Sequence, residues 1–181
     1  HGKVEAELIR QAEWQGNLNK QVDYLYMDVG GGSTEYSLYR GNEVIKSKSF
    51  NIGTIRLLAD KVKKSEWQKM QEFLQELSTS PRNIEFVGSG GSINTAHKLS
   101  KRPSNAVLDY AYIKKLYEQI DRLTVNERIV LHGLKPDRAD VLPIALKLYL
   151  RSMEWTEADI IHVPKFGLSD GMIRALYQQY R

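Results

Sequence analysis

The chain has 181 residues, no cysteine, and 26 basic against 22 acidic side chains for a net charge of +4. That length suits one domain, or one lobe of something larger, and the missing cysteines exclude disulfides and thiolate metal sites without fixing the redox compartment. Apolar residues make up 41% of the chain, ample for a packed core, yet no run approaches the roughly 18 consecutive apolar residues of a membrane span, so a soluble cytoplasmic protein is the default expectation.

The start, His1-Gly2-Lys3-Val4-Glu5, has no initiator Met, basic region or apolar region, and reads as a chain whose upstream part is absent rather than as a signal peptide. Residues 3–16 have helical spacing, with Val4, Leu8, Ile9 and Ala12 on one face. Residues 23–29 and 34–40 read as strands rich in Tyr, Val and Leu, joined by a glycine turn. Arg40-Gly41-Asn42-Glu43 is a second turn signal, and Val44 to Phe50 a third antiparallel strand. Gly53 to Leu77 turns helical, with a restart at Ser65. After Pro81, Ile84 to Val87 is a short buried strand that ends in Gly88-Ser89-Gly90-Gly91-Ser92 and a helix from Ile93 to Leu99. Further helices are expected over 109–122, 124–132 and 138–153, then a strand from Asp159 to Val163 and a helix from Ser169 to Tyr180. This order predicts a single α/β lobe over residues 1–181, a mixed sheet flanked by helices, with both glycine turns at strand ends pointing into one crevice.

The run Asp28-Val29-Gly30-Gly31-Gly32-Ser33-Thr34-Glu35 carries the strongest chemistry. Glycines allow positive φ and close approach, and successive N–H groups in such a turn form an anion-binding concavity. The flanking carboxylates repel phosphate, so they make sense with a divalent cation or an attacking water between them and it. A ligand-free turn is the plain alternative, but three glycines cost on the order of 1 kcal/mol each against Ala in regular structure, and a hairpin needs fewer. The second glycine turn, taken alone, is weak, because strand-to-helix turns use glycine anyway. At a helix N-terminus, though, its amides favour an anion. Neither turn matches the Walker loop or the dinucleotide fingerprint.

The four histidines lack metal-ligand spacing, which argues against zinc, and no G-x-S-x-G elbow occurs. Ser33, Ser89 and Ser92 therefore read as phosphate hydrogen-bond donors, not nucleophiles. Glu5 and Glu7 alone are surface carboxylates, and Arg138-Ala139-Asp140 alone is a capped helix start. Basic clusters at Lys61, Lys63 and Lys64 and at Lys98, Lys101 and Arg102 read as solvated helix faces. The sharper reading is a field for a polyanion, with nucleic acid its weaker version because no nucleic-acid motif accompanies them.

Together these residues resemble the exopolyphosphatase/guanosine pentaphosphate phosphohydrolase family, Ppx/GppA. Asp28 to Glu35 looks like its D-I/V-G-G-G-S-T-E loop, Gly2 to Ile9 like its S-G-x-E-E-A-R-L-I segment, and Asn51-Ile-Gly53-Thr-Ile-Arg56-Leu57 like its L-G-A-V-R-L segment. Val87 to Ser92 is similar to its G-T-G-G-T loop, Arg138 to Pro143 to R-A-D-V-I, and Gly167 to Gly171 to G-L-R-E-G-L. The resemblance implies one lobe of the actin, sugar-kinase and heat-shock ATPase superfamily, which has a ribonuclease H-like fold. This chain matches the second lobe; the first, with its own D-x-G-S-N loop, is not in the sequence. It also implies release of orthophosphate from inorganic polyphosphate or guanosine pentaphosphate by attack of water, with no membrane partner.

By matching positions, Glu5 is implied as the general base, and Asp28 and Glu35 as holders of Mg²⁺ or another divalent cation. Gly30, Gly31, Gly32, Ser33 and Thr34, with Gly88, Ser89, Gly90, Gly91 and Ser92, are implied as the phosphate grip, and Arg138 as a contact to phosphate or nucleotide. Partners implied are the first lobe and, as is common in the family, a second copy. The isolated lobe is expected to be incomplete. Val4, Glu7 and Pro143 depart from the family pattern. An ATP-dependent kinase or ATPase of the same superfamily, and a non-catalytic sensor of a phosphorylated ligand, are the competing readings.

Overall fold

In the computed structural model, residues 21–164 are described, apart from 42 and 105. The helices expected over 3–16 and 169–180 lie outside them. Asp23–Val29 (β1), Thr34–Arg40 (β2) and Glu43–Phe50 (β3) form an antiparallel meander. Thr54–Leu58 (α1) and Lys64–Ser78 (α2) follow, then Ile84–Ser89 (β4), Gly91–Leu99 (α3) and the two-residue strand Leu108–Asp109 (β5). Tyr110–Asp121 (α4), Val125–His132 (α5), Pro136–Ala139 (α6), Leu142–Thr156 (α7) and Ile160–His162 (β6) complete the described chain. The six strands form one sheet in the order β3-β2-β1-β4-β6-β5, with β4 parallel to both β1 and β6.

Strand periodicity explains the two faces. Leu25, Met27 and Val29 on β1 join Tyr36, Leu38 and Phe86 on the helical side. There α2 presents Met70, Phe73, Leu74 and Leu77, an i, i+3, i+4, i+7 stripe, and each such burial contributes roughly 1.5–3 kcal/mol. α7 runs through this core and packs against α2, α3 and α4. Tyr24, Tyr26, Tyr39 and Val87 form a separate cluster with Val22. The edge strand β3 is largely exposed and carries Lys46 and Lys48, a charged edge that discourages pairing with other chains.

Two expectations changed. The helix predicted over 138–153 is broken into α6 and α7, because Pro143 sits in the first turn of α7, has no N–H, and cannot continue a helix out of α6. β5 is too short to leave a period in the sequence. At the start of β1, Asp23 is fully buried and accepts bonds from Arg40 (Nη2 to Oδ2, 2.7 Å) and Arg82 (Nε to Oδ1, 2.7 Å). Burial alone raises its pKa, but the hydrogen bonds from Arg40 and Arg82 outweigh that and hold the carboxyl below its ordinary range.

Candidate functional site

The antiparallel register of β1 and β2 pairs Asp28 with Glu35 and Val29 with Thr34, so both carboxylates stand opposite each other on one face of the sheet. The turn between them, residues 30–33, closes on a Gly30 N–H to Ser33 O bond of 2.9 Å. Its carbonyls are drawn to one side by α1. Gly30 O accepts from Thr54 N–H (3.0 Å), Gly31 O from Ile55 N–H (2.9 Å), and Gly32 O from Arg56 Nε (2.7 Å). The N–H groups of Gly31 and Gly32 make no such bond among the described residues, as an anion-binding turn requires of its amides.

Close approach, not positive φ, is what this loop needs from glycine. None of Gly30, Gly31 and Gly32 lies in the left-handed region. A Cβ on Gly31 would fall 2.9 Å from Ile55 Cγ1, and one on Gly53 would meet Gly31 O and come within 2.6 Å of Gly32 C. The role of Gly53 and Arg56 depends on a contact with the first loop that the sequence does not display. Thr34, expected among the phosphate donors, is fully buried and gives its hydroxyl proton to Ile52 O at 2.6 Å.

β4 runs parallel to β1 with Ser89 beside Asp28, which brings the second glycine loop next to the first. Here a positive φ is required, at Gly90 (φ 101°, ψ 167°), and a Cβ there would come within 3.0 Å of Asp28 Oδ1. Gly91 opens α3, and a Cβ on it would fall 2.6 Å from Arg138 Cζ. The Arg138 guanidinium thus lies on the N-terminus of α3. A cation against the positive end of a helix is unfavourable unless an anion joins them. Its carboxylate neighbour, Asp137, is exposed and 3.5 Å away. Gly88 faces the core, where a Cβ would strike Ile161 Cδ1 at 2.7 Å. The hydroxyls of Ser33 and Ser92 make no hydrogen bond among the described residues, while Ser89 Oγ accepts from Tyr26 Oη at 2.5 Å.

Asp28 is mostly shielded from water. Burial pushes its pKa up, a hydrogen bond from the Ser89 side chain opposes this, and the charge of Glu35 raises it further. Among the described residues, no cationic side chain contributes to these influences, in contrast to Asp23. Asp28 and Glu35 face each other across the hairpin, and a pair of opposed carboxylates fits a divalent ion. Mg²⁺ commonly keeps several waters and binds through one or two carboxylates plus substrate phosphates; among the described residues no group of three or more potential ligands occurs. Glu5 lies outside the described residues. Of the basic clusters, Arg102 is engaged locally, bonded to Val107 O and Asp109 Oδ2 at 2.7 Å each. No described helix is long and apolar enough to cross a membrane.

A mixed six-stranded sheet flanked by helices, with two glycine loops abreast at the ends of β1 and β4, defines an actin-like, ribonuclease H-like fold. The sequence model of the Ppx/GppA phosphatase family matches residues 1–179, and the chain belongs to that family. A guanosine-5'-triphosphate,3'-diphosphate pyrophosphatase from Photobacterium profundum is 21% identical over 196 residues, covering 99% of this chain and 39% of that protein. A bifunctional 3-dehydroquinate synthase/phosphatase from Fusobacterium nucleatum is 28% identical over 141 residues, covering 65% of this chain and 21% of that protein. The crystal structure of the Aquifex aeolicus Ppx/GppA family member superposes with a TM-score of 0.75 at 27% identity, over 98% of this chain and 62% of that one. An exopolyphosphatase from Cytophaga hutchinsonii shares the fold, with a TM-score of 0.76 at 23% identity over 98% of this chain and 64% of that one. The chain therefore spans less than two thirds of the length of each of these relatives.

Proposed function

We propose that residues 1–181 form the second lobe of a two-lobed phosphohydrolase that releases terminal orthophosphate from inorganic polyphosphate or guanosine pentaphosphate by attack of water. The observation that carries this reading is the Arg138 guanidinium seated on the N-terminus of α3, a pair of like-signed groups that a phosphate bound beside both would reconcile. The Gly31 and Gly32 amides, the amides opening α3, and the Ser33 and Ser92 hydroxyls would bind the phosphate oxygens. Asp28 and Glu35 would hold Mg²⁺ or another divalent cation, which when bound neutralises charge developing on the transferring phosphoryl group. Glu5 would orient the attacking water and take its proton. With the nucleophile and phosphate held in line, positioning and charge neutralisation carry most of the catalysis. The first lobe would supply the opposing phosphate loop, so the isolated lobe would bind phosphate weakly and turn over poorly.

The test is phosphate release by the full-length protein from long-chain polyphosphate and from guanosine pentaphosphate. Wild-type release that Glu5→Gln abolishes, with ligand binding intact, is the expected result. ATP-dependent transfer to an acceptor, or binding of both ligands with no release by the wild type, would overturn it in favour of a kinase or a sensor.

A further inference from the structure

Ser89 was expected to grip phosphate, and its surroundings give it another task. We infer that Tyr26 and Ser89 form a positioning relay for Asp28, in which the tyrosine hydroxyl fixes the serine and the serine hydroxyl holds the carboxylate at the mouth between the two glycine loops. The inference rests on the reading of Asp28 as a cation ligand.

The register makes the relay possible. Asp28 and Ser89 are neighbours on parallel β1 and β4, and Tyr26 precedes Asp28 by two residues, so its side chain leaves the same face of the sheet. Tyr26 Oη donates to Ser89 Oγ at 2.5 Å. A serine hydroxyl has one proton. With the tyrosine occupying an acceptor site on Oγ, that proton is left to point onward to Asp28, the residue paired with Ser89 across the parallel strands. The Ser89 side chain offsets part of the burial that raises the Asp28 pKa. Given to the carboxylate, the proton is no longer available to a phosphate oxygen, which leaves Ser92 as the hydroxyl donor of this loop.

The serine is anchored a second time through its backbone. Tyr149, fully buried on α7, donates its hydroxyl to Ser89 O at 3.0 Å. Two tyrosines from two elements thus hold one serine. On the far side, the missing Cβ of Gly90 leaves a seat for Asp28 Oδ1, which a methyl group would approach to 3.0 Å. The carboxylate is thus flanked by the serine on one side and the glycine on the other. Orientation of this kind is what a metal-binding carboxylate needs from its surroundings, and losing such a support typically weakens metal affinity about 10–100-fold.

The experiment compares Ser89→Ala, Ser89→Thr, Tyr26→Phe and Ser92→Ala in the full-length protein. Mn²⁺ affinity is measured by electron paramagnetic resonance without substrate, and kcat and KM for polyphosphate at saturating metal. Ser89→Ala should weaken Mn²⁺ binding about 10-fold or more with KM unchanged, Tyr26→Phe should shift it less in the same direction, and Ser89→Thr should restore it. Ser92→Ala should instead raise KM and leave Mn²⁺ affinity alone. A Ser89→Ala variant that binds Mn²⁺ like wild type but shows a raised KM would make Ser89 a phosphate ligand and end the relay while leaving the hydrolase reading intact. A wild type that neither binds Mn²⁺ nor releases phosphate would instead sink the functional reading on which the relay depends.

Discussion

One strand carries an aspartate at each end, and the two live in opposite electrostatic worlds. Asp23 opens β1 beneath two arginines and is held more acidic than usual despite complete burial. Asp28, near the other end, has a serine and a second carboxylate for company and is held less acidic than usual. The first arrangement supports the fold. The second works against its own charge, the separation of stabilising and working groups that the proposed function asks of Asp28.

Asp28→Asn should separate the two most widely. It would remove about 10³-fold or more of phosphate release, since a divalent cation supplies several kcal/mol of charge stabilisation, while the thermal midpoint of the metal-free protein stays level or rises. A variant that loses midpoint and keeps turnover would break the comparison. Asp23→Asn should do the reverse. It leaves two guanidinium groups short of a partner, and because both reach solvent the loss should be about 2 kcal/mol, below the figure for a fully buried pair. Turnover of the folded fraction should be unchanged.

Acid titration sharpens the same contrast. Asp23 has its pKa lowered in the fold, so its contribution is complete above the ordinary unfolded value near ~4 and disappears as pH falls through its folded value. In urea denaturation of the metal-free protein, the gap between wild type and Asp23→Asn should therefore close as pH drops below about 4. Asp28 has its pKa raised, so its penalty is present above its folded value and vanishes as pH falls below the ordinary one. The advantage of Asp28→Asn should close over that higher window.

The glycines beside Asp28 give finer versions of the test. Gly90→Ala forces a residue with a side chain into a glycine-only conformation and presses on the carboxylate, for about 1–3 kcal/mol of stability. Gly91→Ala meets only the end of a flexible arginine and should change stability by about 0.5 kcal/mol or less. Its effect should appear as a raised KM, because Arg138 must leave the start of α3. Equal losses of stability in the two variants, read by calorimetry, would show that the loop tolerates neither.

Much of this lobe could be read from its sequence. The strands around the first loop, the stripe of α2 and the helix after Gly91 all carry periodicity or a glycine break that belongs to a single segment. What stayed hidden was contact between segments. Gly53 is small because the first loop lies on it, Thr34 is occupied by Ile52, and Gly91 is small because Arg138 arrives from α6. Each of these is a pairing of distant residues, and periodicity reports one segment at a time. The same limit let positive φ be assigned to the triple glycine, when Gly90 is the site glycine that takes it. Asp28 and Glu35, by contrast, were legible as a pair because a short hairpin fixes their register.

The bond from Tyr149 to the backbone of Ser89 has a consequence for alkaline conditions. Burial, reinforced by the nearby charge of Asp28, keeps that phenol protonated well above the ordinary tyrosine range. Phosphate esters and anhydrides gain their last negative charge near pH ~6, so ionisation of the proposed substrate is complete long before this latch can ionise. The floor under the second loop is thus mechanically constant across the span in which the ligand changes charge. An alkaline limb in the activity profile would then report on groups above that floor, in the cleft itself.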